Sequence, residues 1–431
     1  MRDPASSSIP PQADGVIRRT PFFFGWAVTG AAALAMGMTL PGQTAGVSLF
    51  IDAFIADLGV SRSAVSLAYT GATVAAAFVL PWTGKALDRW GPQRGMIVIA
   101  VLLALACVGM GQVQGFTTLA VGFFLMRTLG QGALSLSAVH AVNLWFVRRR
   151  GFSVGLMGIG MAVALSVVPP LIERGIASVG WRATYGWLGV AVAALVIPAA
   201  LLFVRRHPER YGLRPDGDAP MASGEAETPE ASMSLPEARG TAAFWVLLAG
   251  IATTSCLGTA LLFHHVDVMA SAGLDRASAA LLFVPYGVVT ALSSLLGGGL
   301  VDRFGPGRVM AASLAFFAAM MALVPWVTSP EAVWVYGAAF GVSQGVMGNV
   351  SGSGFAAYFG RAHIGAIKGY AGTAFVAATA LGPPLLAVGA ETSGGYTQAL
   401  WVLAVIPLGV AFLAARVLSV ADGISLRTRE A

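Results

Sequence analysis

The chain has 431 residues, of which 56% are hydrophobic and 11% charged, and a formal net charge of +6. Soluble domains usually carry about 25% charged residues, so this composition excludes a large core wrapped in a polar shell. The positive charges are scattered over short polar segments and not gathered on one face, which excludes a nucleic-acid surface of the usual basic kind.

The apolar residues fall into runs of about 20, each long enough to cross roughly 30 Å of hydrocarbon. They are continuously apolar, unlike membrane β-strands, which alternate over about 10 residues. Spanning helices are the remaining solution, because lipid offers no partner to an unpaired backbone group. In chain order, twelve spans are expected at 22–50, 64–87, 95–114, 116–146, 152–174, 181–204, 243–270, 278–300, 307–328, 331–358, 365–388 and 396–418. Arg18 and Arg19 precede the first run. That run is too long for a signal peptide and has no small-residue cleavage site, so it reads as an uncleaved helix.

Orientation follows from the basic residues. With both termini cytoplasmic, Lys85, Arg148, Arg149, Arg150, Arg205, Arg206, Arg361 and Lys368 lie inside, and only Arg62, Arg174, Arg182 and Arg276 lie outside. A multi-pass protein of the cell (inner or plasma) membrane is expected. Cys107 and Cys256 sit in the third and seventh spans without metal-ligand spacing and read as packed thiols. No metal and no cofactor is expected.

The stretch GKALDRWGPQR (84–94) returns as GGLVDRFGPGR (298–308). Gly84, Asp88, Arg89, Gly91, Pro92 and Arg94 match Gly298, Asp302, Arg303, Gly305, Pro306 and Arg308, always 214 positions on. The same offset pairs Gly151, Gly155 and Gly158 with Gly365, Gly369 and Gly372, and Pro169-Pro170 with Pro383-Pro384. Duplication of a six-helix unit is the reading. It divides the chain into a tail (1–21), a first bundle (22–204), a linker (205–240), a second bundle (241–418) and a second tail (419–431). The linker is rich in Pro, Gly, Glu and Ser and is expected to be solvated and partly disordered. In the repeated turn, Gly84 and Gly298 permit close helix approach, and Gly91-Pro92 and Gly305-Pro306 suit tight turns. Asp88 and Asp302 stand where a carboxylate accepts backbone N–H groups at a helix start or pairs with Arg.

Twelve spans, a 6+6 repeat, a central linker and a G-x-x-x-D-R-x-G-x-x-R turn after spans two and eight resemble the major facilitator superfamily. Within it, FFFGW (22–26), WFVRRRGFSVG (145–155), GWR (180–182), FHHV (263–266) and FGRAHIGAIKG (359–369) resemble the bacterial monocarboxylate and oxalate/formate-type branch. The resemblance implies an all-α polytopic fold of twelve transmembrane helices in two six-helix halves. It further implies rocker-switch alternating access around a site near the bilayer midplane, with the repeated turns as a gate that holds one face shut.

Charge inside a span is costly and usually functional. Arg127, in RTLGQG (127–132), lies within span four with no acidic residue in that span, and resembles the superfamily's Arg-centred fourth-helix motif. It faces the cavity on one reading and is bonded to carbonyls on the other. Clear carboxylates deep in the spans are absent, so one fixed positive charge favours an anion. Lys368 reads as part of a loop motif at the start of span eleven. Gln43, Tyr69, Gln131, Tyr286 and Asn349 are further candidates for substrate contact, and His140, His264 and His265 for proton coupling. The function expected is secondary transport of a small organic anion such as a monocarboxylate, with proton coupling open. A drug or metabolite exporter and a non-transporting receptor on the same scaffold remain alternatives. No P-loop, nucleophile elbow or His/Asp/Glu metal cluster is seen, so no enzyme is expected. The expected partners are the anionic substrate, lipid and protons, and the expected unit is a monomer.

Overall fold

The computed structural model describes residues 14–217, 232–275, 278, 279 and 281–430, and these contain helices and turns but no strand. Twelve spans pass back and forth in two sets of six. The first set begins with α1, Gly25–Ser48, which is broken by a tight turn at Leu40–Gly42 and followed by a short bent helix, Ile51–Leu58. Then come α2 (Arg62–Trp90), α3 (Pro92–Met110) and α4 (Phe116–Trp145). A 54-residue rod, Arg150–Phe203, is two spans. Gly180, at φ 81°, takes a conformation that only glycine adopts freely and separates α5 (150–179) from α6 (181–203).

The second set is α7 (Ala242–Phe263, continued by His265–Ser271), α8 (Phe283–Phe304), α9 (Pro306–Leu323), α10 (Pro330–Phe359), α11 (Ile364–Ser393) and α12 (Tyr396–Glu430). Among the described residues, eight helices are apolar enough to span by length and composition alone, the 54-residue rod counting as one, or nine counting bent α1. Helices α2 and α10 are long enough to span but are not among them.

Each half has its own aromatic core. Phe24, Phe50, Phe54, Phe123, Trp145 and Tyr185 are buried together in the first. Phe244, Phe355 and Phe359 are buried at one end of the second, and Phe317, Phe340 and Tyr336 at the other. Between the halves, Ala77, Leu80 and Val376 form a small buried apolar cluster of their own. The long contacts between halves run α2 against α11 and α5 against α8. Small residues set these crossings: a Cβ on Gly84 would overlap the carbonyl of Gly365, and one on Gly298 that of Gly151. Membrane helices gain little from apolar burial against one another, so such close backbone packing is the main attraction available.

The linker is packed only in part. Arg205 and Asp216 are buried, and residues 208–211 and 235–239 form short helices. Within 204–217, Val204, Arg205, Pro208 and Asp216 are buried, while His207, Arg210, Gly212, Arg214 and Gly217 are exposed. The stretch 218–231 lies outside the described residues, as do residues 1–13.

Candidate substrate cavity and its gate

On the face that carries the linker, the repeated turns close the space between the halves. Gly91 (φ 83°) and Gly305 (φ 86°) turn the chain, and Pro92 and Pro306 open the next helix. That geometry presents Asp88 and Asp302 to the opposite half. Asp88 accepts the N–H groups of Gly365 and Ala366, both at 2.8 Å, in the first turn of α11. Asp302 accepts those of Gly151 at 2.7 Å and Phe152 at 2.9 Å, in the first turn of α5. First-turn N–H groups have no partner within their own helix and carry its positive end. Each carboxylate thus caps a helix of the other half, and the two caps are related by the 214-residue repeat. Of the two expectations for these carboxylates, helix capping is observed. The remaining motif residues are peripheral: the Arg89 carbonyl accepts Arg206 Nη2 at 3.1 Å, Arg303 lies 5.3 Å over the Phe304 ring, and Arg94 and Arg308 are exposed.

Further bonds join the halves behind these caps. Arg150, almost fully buried, donates to the Phe146 carbonyl within its own half and to the Ala356 carbonyl across it, each at 2.7 Å. Arg361 returns the contact to the Leu144 carbonyl at 2.6 Å. Asn143 reaches Gly352 at 3.0 Å, and Thr373 reaches Ala77 at 2.7 Å. The linker face is shut in this structure.

Above the gate is a cavity of about 190 Å³ between the halves. Its walls come from α2, α4, α7, α10 and α11, and include Thr73, Arg127, Gln131, Ser135, Phe355 and Lys368 but no carboxylate. Two basic side chains, Arg127 and Lys368, therefore line it. Arg127 is 6% exposed. Its Nη1 donates to the Gly42 carbonyl at 3.2 Å and meets Thr44 Oγ1 at 3.5 Å, while its guanidinium lies 4.9 Å over the Tyr69 ring. The Pro41-Gly42 break frees that carbonyl, and a glycine pair lets the helices approach, since a Cβ on Gly130 would sit 2.9 Å from the Gly42 Cα. Both readings of Arg127 hold at once: it is tied to a carbonyl and it faces the cavity. Around it, 127–134 widens into π-helical turns, a device frequent at functional sites. Buried Arg127 Nε and Gln131 Oε1 have no hydrogen-bond partner. Lys368 belongs to α11 and not to a loop, and its Nζ donates to Ser351 at 3.0 Å and Gly352 at 2.7 Å. Lys368 thus joins Arg127 among the basic side chains that line the cavity.

The other predicted residues divide. Gln131 lines the cavity, and Tyr69 supports Arg127 and donates to Thr44 Oγ1 at 2.9 Å. Gln43 instead donates to Thr39 at 3.0 Å. Tyr286 packs on Phe340, ring centroids 5.0 Å apart. Asn349 braces α10 to α8 through the Ser294 carbonyl at 2.6 Å. None of these three is among the cavity's lining residues. His140 is buried, with Nδ1 3.8 Å from Asp88 Oδ1. His264 meets the Pro383 carbonyl at 3.0 Å and His265 the Ala279 carbonyl at 2.7 Å, both within the second half and away from the cavity. Sequence reasoning gave no site role to Lys368, Arg150 or Arg361. A signal was present, because the repeat pairs Arg150 with Ile364, Arg361 with Val147 and Lys368 with Val154. A cation that breaks a repeat is not needed for the shared fold.

The family model of the Major Facilitator Superfamily matches residues 22–266 and 263–430. This chain belongs to that superfamily. Among its superfamily relatives is the oxalate:formate antiporter of Oxalobacter formigenes, 24% identical over 63% of this chain and 62% of the relative. The chain thus aligns with less than two thirds of that protein's length. The probable nitrate/nitrite transporter NarK2 of Mycobacterium tuberculosis is 27% identical over 64% of this chain and 67% of the relative. Among solved superfamily structures, the Escherichia coli fucose:proton symporter superposes with a TM-score of 0.64 at 16% identity, over 91% of this chain and 98% of that one. The human organic anion transporter MFSD10 gives 0.59 at 15%, over 92% and 100%. At such identities these two structures establish the shared fold alone.

Proposed function

We propose that this superfamily member carries a small organic anion, such as a monocarboxylate, across the cell membrane by alternating access, with both termini cytoplasmic and a monomer as the working unit. The observation that carries the reading is a cavity between the halves lined by Arg127 and Lys368 and by no carboxylate. A buried cation is costly unless something compensates it, and an anion entering between the two would do so. Arg127 offers a planar fork to a carboxylate, and Lys368 a compact charge. The gate fits the same reading. Its caps join opposite halves, so rocking one half against the other must break them, and the turns on the linker face would open the cavity to the cytoplasm. The names of the antiporter and of the nitrate/nitrite transporter, both of small anions, agree with this substrate class. His140, buried beside Asp88, is the histidine best placed to join a proton to gate opening. The test is uptake of a panel of radiolabelled acids into proteoliposomes, with and without an imposed pH gradient. Saturable uptake of at least one small monocarboxylate is expected, and a gradient that accelerates it establishes proton coupling. Flux of neutral or cationic compounds with none of the acids would overturn the substrate class.

A further inference from the structure

The linker is fastened to the first half at two places. Just after α6, Trp145 Nε1 donates to the Arg206 carbonyl at 2.7 Å, and Arg205 pairs with Asp14 at 2.7 Å. Ten residues later Asp216 makes the second anchor. It is 7% exposed, and at φ 62° it is the one non-glycine residue with positive φ among those described. Its carboxylate accepts three successive N–H groups, those of Val147 (3.0 Å), Arg148 (2.9 Å) and Arg149 (3.0 Å), immediately before α5. A side chain held in a disfavoured backbone region needs such over-determination to persist.

Between the anchors, Glu209 points to the other half. It pairs with Arg361 Nη2, and Arg361 belongs to the connection between α10 and α11. Through Nη1 the same guanidinium reaches the Leu144 carbonyl of α4. One side chain of the second half is thereby held by the linker and by the first half together. Both members of the pair are mostly shielded, at 14% and 23% side-chain exposure.

We propose that residues 204–217 are a working part of the gate: a strap fixed to the first half at both ends that hooks the second half through Glu209 and Arg361 only while the linker face is shut. The inference rests on alternating access but not on the identity of the substrate. When the halves part at this face, Arg361 moves away from Leu144 and from a strap that stays with α4 and α5. A contact present in one state favours that state by its differential energy, so the strap holds the carrier outward-facing.

The test uses the full chain in nanodiscs, with Cys107 and Cys256 replaced and spin labels at Leu202→Cys and Arg416→Cys. These exposed positions, 214 apart, are equivalent and lie near the linker-side ends of the apolar spans of α6 and α12. Glu209→Gln should move the distance distribution toward the longer, linker-side-open population, changing the population ratio by about fivefold or more, the lower range of a coupling between sites. The charge-reversed pair Glu209→Arg with Arg361→Glu should recover part of the closed population. In a second arm, a short bis-maleimide joining Glu209→Cys to Arg361→Cys should trap the closed distance whether or not a substrate is known. An unchanged distribution in Glu209→Gln, or a cross-linked protein that still samples the open distance, overturns the strap. Neither result bears on the anion, so failure here is distinct from failure of the substrate reading.

Discussion

Lys368 is the second basic side chain of the cavity, and it was the residue least legible in the sequence. It lies four residues into α11 and next to a turn motif, where a lysine ordinarily reaches solvent. Only the crossing of α11 over α2 and α10 turns it inward, and no local pattern encodes a crossing. Arg127 was legible because it stands alone in an apolar run. Arg127→Lys keeps the charge but loses the fork, so it should reduce anion uptake in part, while Arg127→Gln should nearly abolish it. Initial uptake rates in matched proteoliposomes check the ordering. Glu209 gives a second prediction at this scale. Burial pushes its carboxyl up, but His207, whose Nδ1 lies 3.2 Å from Glu209 Oε2, and the Arg361 guanidinium outweigh it and hold the group below its usual range. Its contribution to the closed state is therefore present above the ordinary carboxylate value of about 4.3 and is lost as pH falls through the depressed one. The difference in closed population between wild type and Glu209→Gln should be full at neutral pH and vanish on acidification. A difference that persists unchanged to acid pH would mean that the charge of Glu209 is not what holds the strap.

At the scale of elements, the repeated turn was the most readable feature, because its chemistry is local: glycine for positive φ, proline to open a helix, a carboxylate for free N–H groups. What those carboxylates cap was not readable, since the capped N–H groups lie 277 and 278 residues from Asp88 and 151 and 150 from Asp302. The buried anchors of the linker were not legible for a different reason. RRHPERYGLRPDG is polar, and composition does not separate a solvated segment from one packed through hydrogen bonds. Asp88→Asn or Asp302→Asn keeps the shape but sets an amide against a helix N-terminus. Each should weaken the gate by on the order of 1–2 kcal/mol, a roughly 5- to 30-fold shift in the ratio of states, with membrane insertion intact. Gly84→Leu should do more, because a side chain there meets the Gly365 backbone. The Leu202/Arg416 spin-label pair reads both. A closed population unchanged in the double Asp variant would leave the motif a topogenic loop.

For the whole molecule, sequence periodicity and the 214-residue offset carried the architecture, two six-helix halves, because apolar length and duplication survive without knowledge of packing. The cores lie within the halves, and glycine crossings and hydrogen bonds lie between them, so the halves can separate without exposing a large apolar surface. Orientation is a prediction at this scale. In a background lacking Cys107 and Cys256, Gln114→Cys and Glu331→Cys should react with an impermeant thiol reagent in intact cells, and Ala362→Cys should react only after permeabilisation. Labelling of Ala362→Cys from outside would invert the topology.

The central claim is that Arg127 and Lys368 bind an anion between the halves, and equilibrium titration of purified, folded protein tests it most directly. The ligands are the monocarboxylate that the wild type carries fastest and its neutral amide. Removing either partner of a poorly hydrated charge pair costs on the order of 2–5 kcal/mol, so Arg127→Gln and Lys368→Gln should each weaken the acid by roughly 30-fold or more and leave the amide nearly unchanged. Wild-type affinity for the acid in both variants would contradict the account.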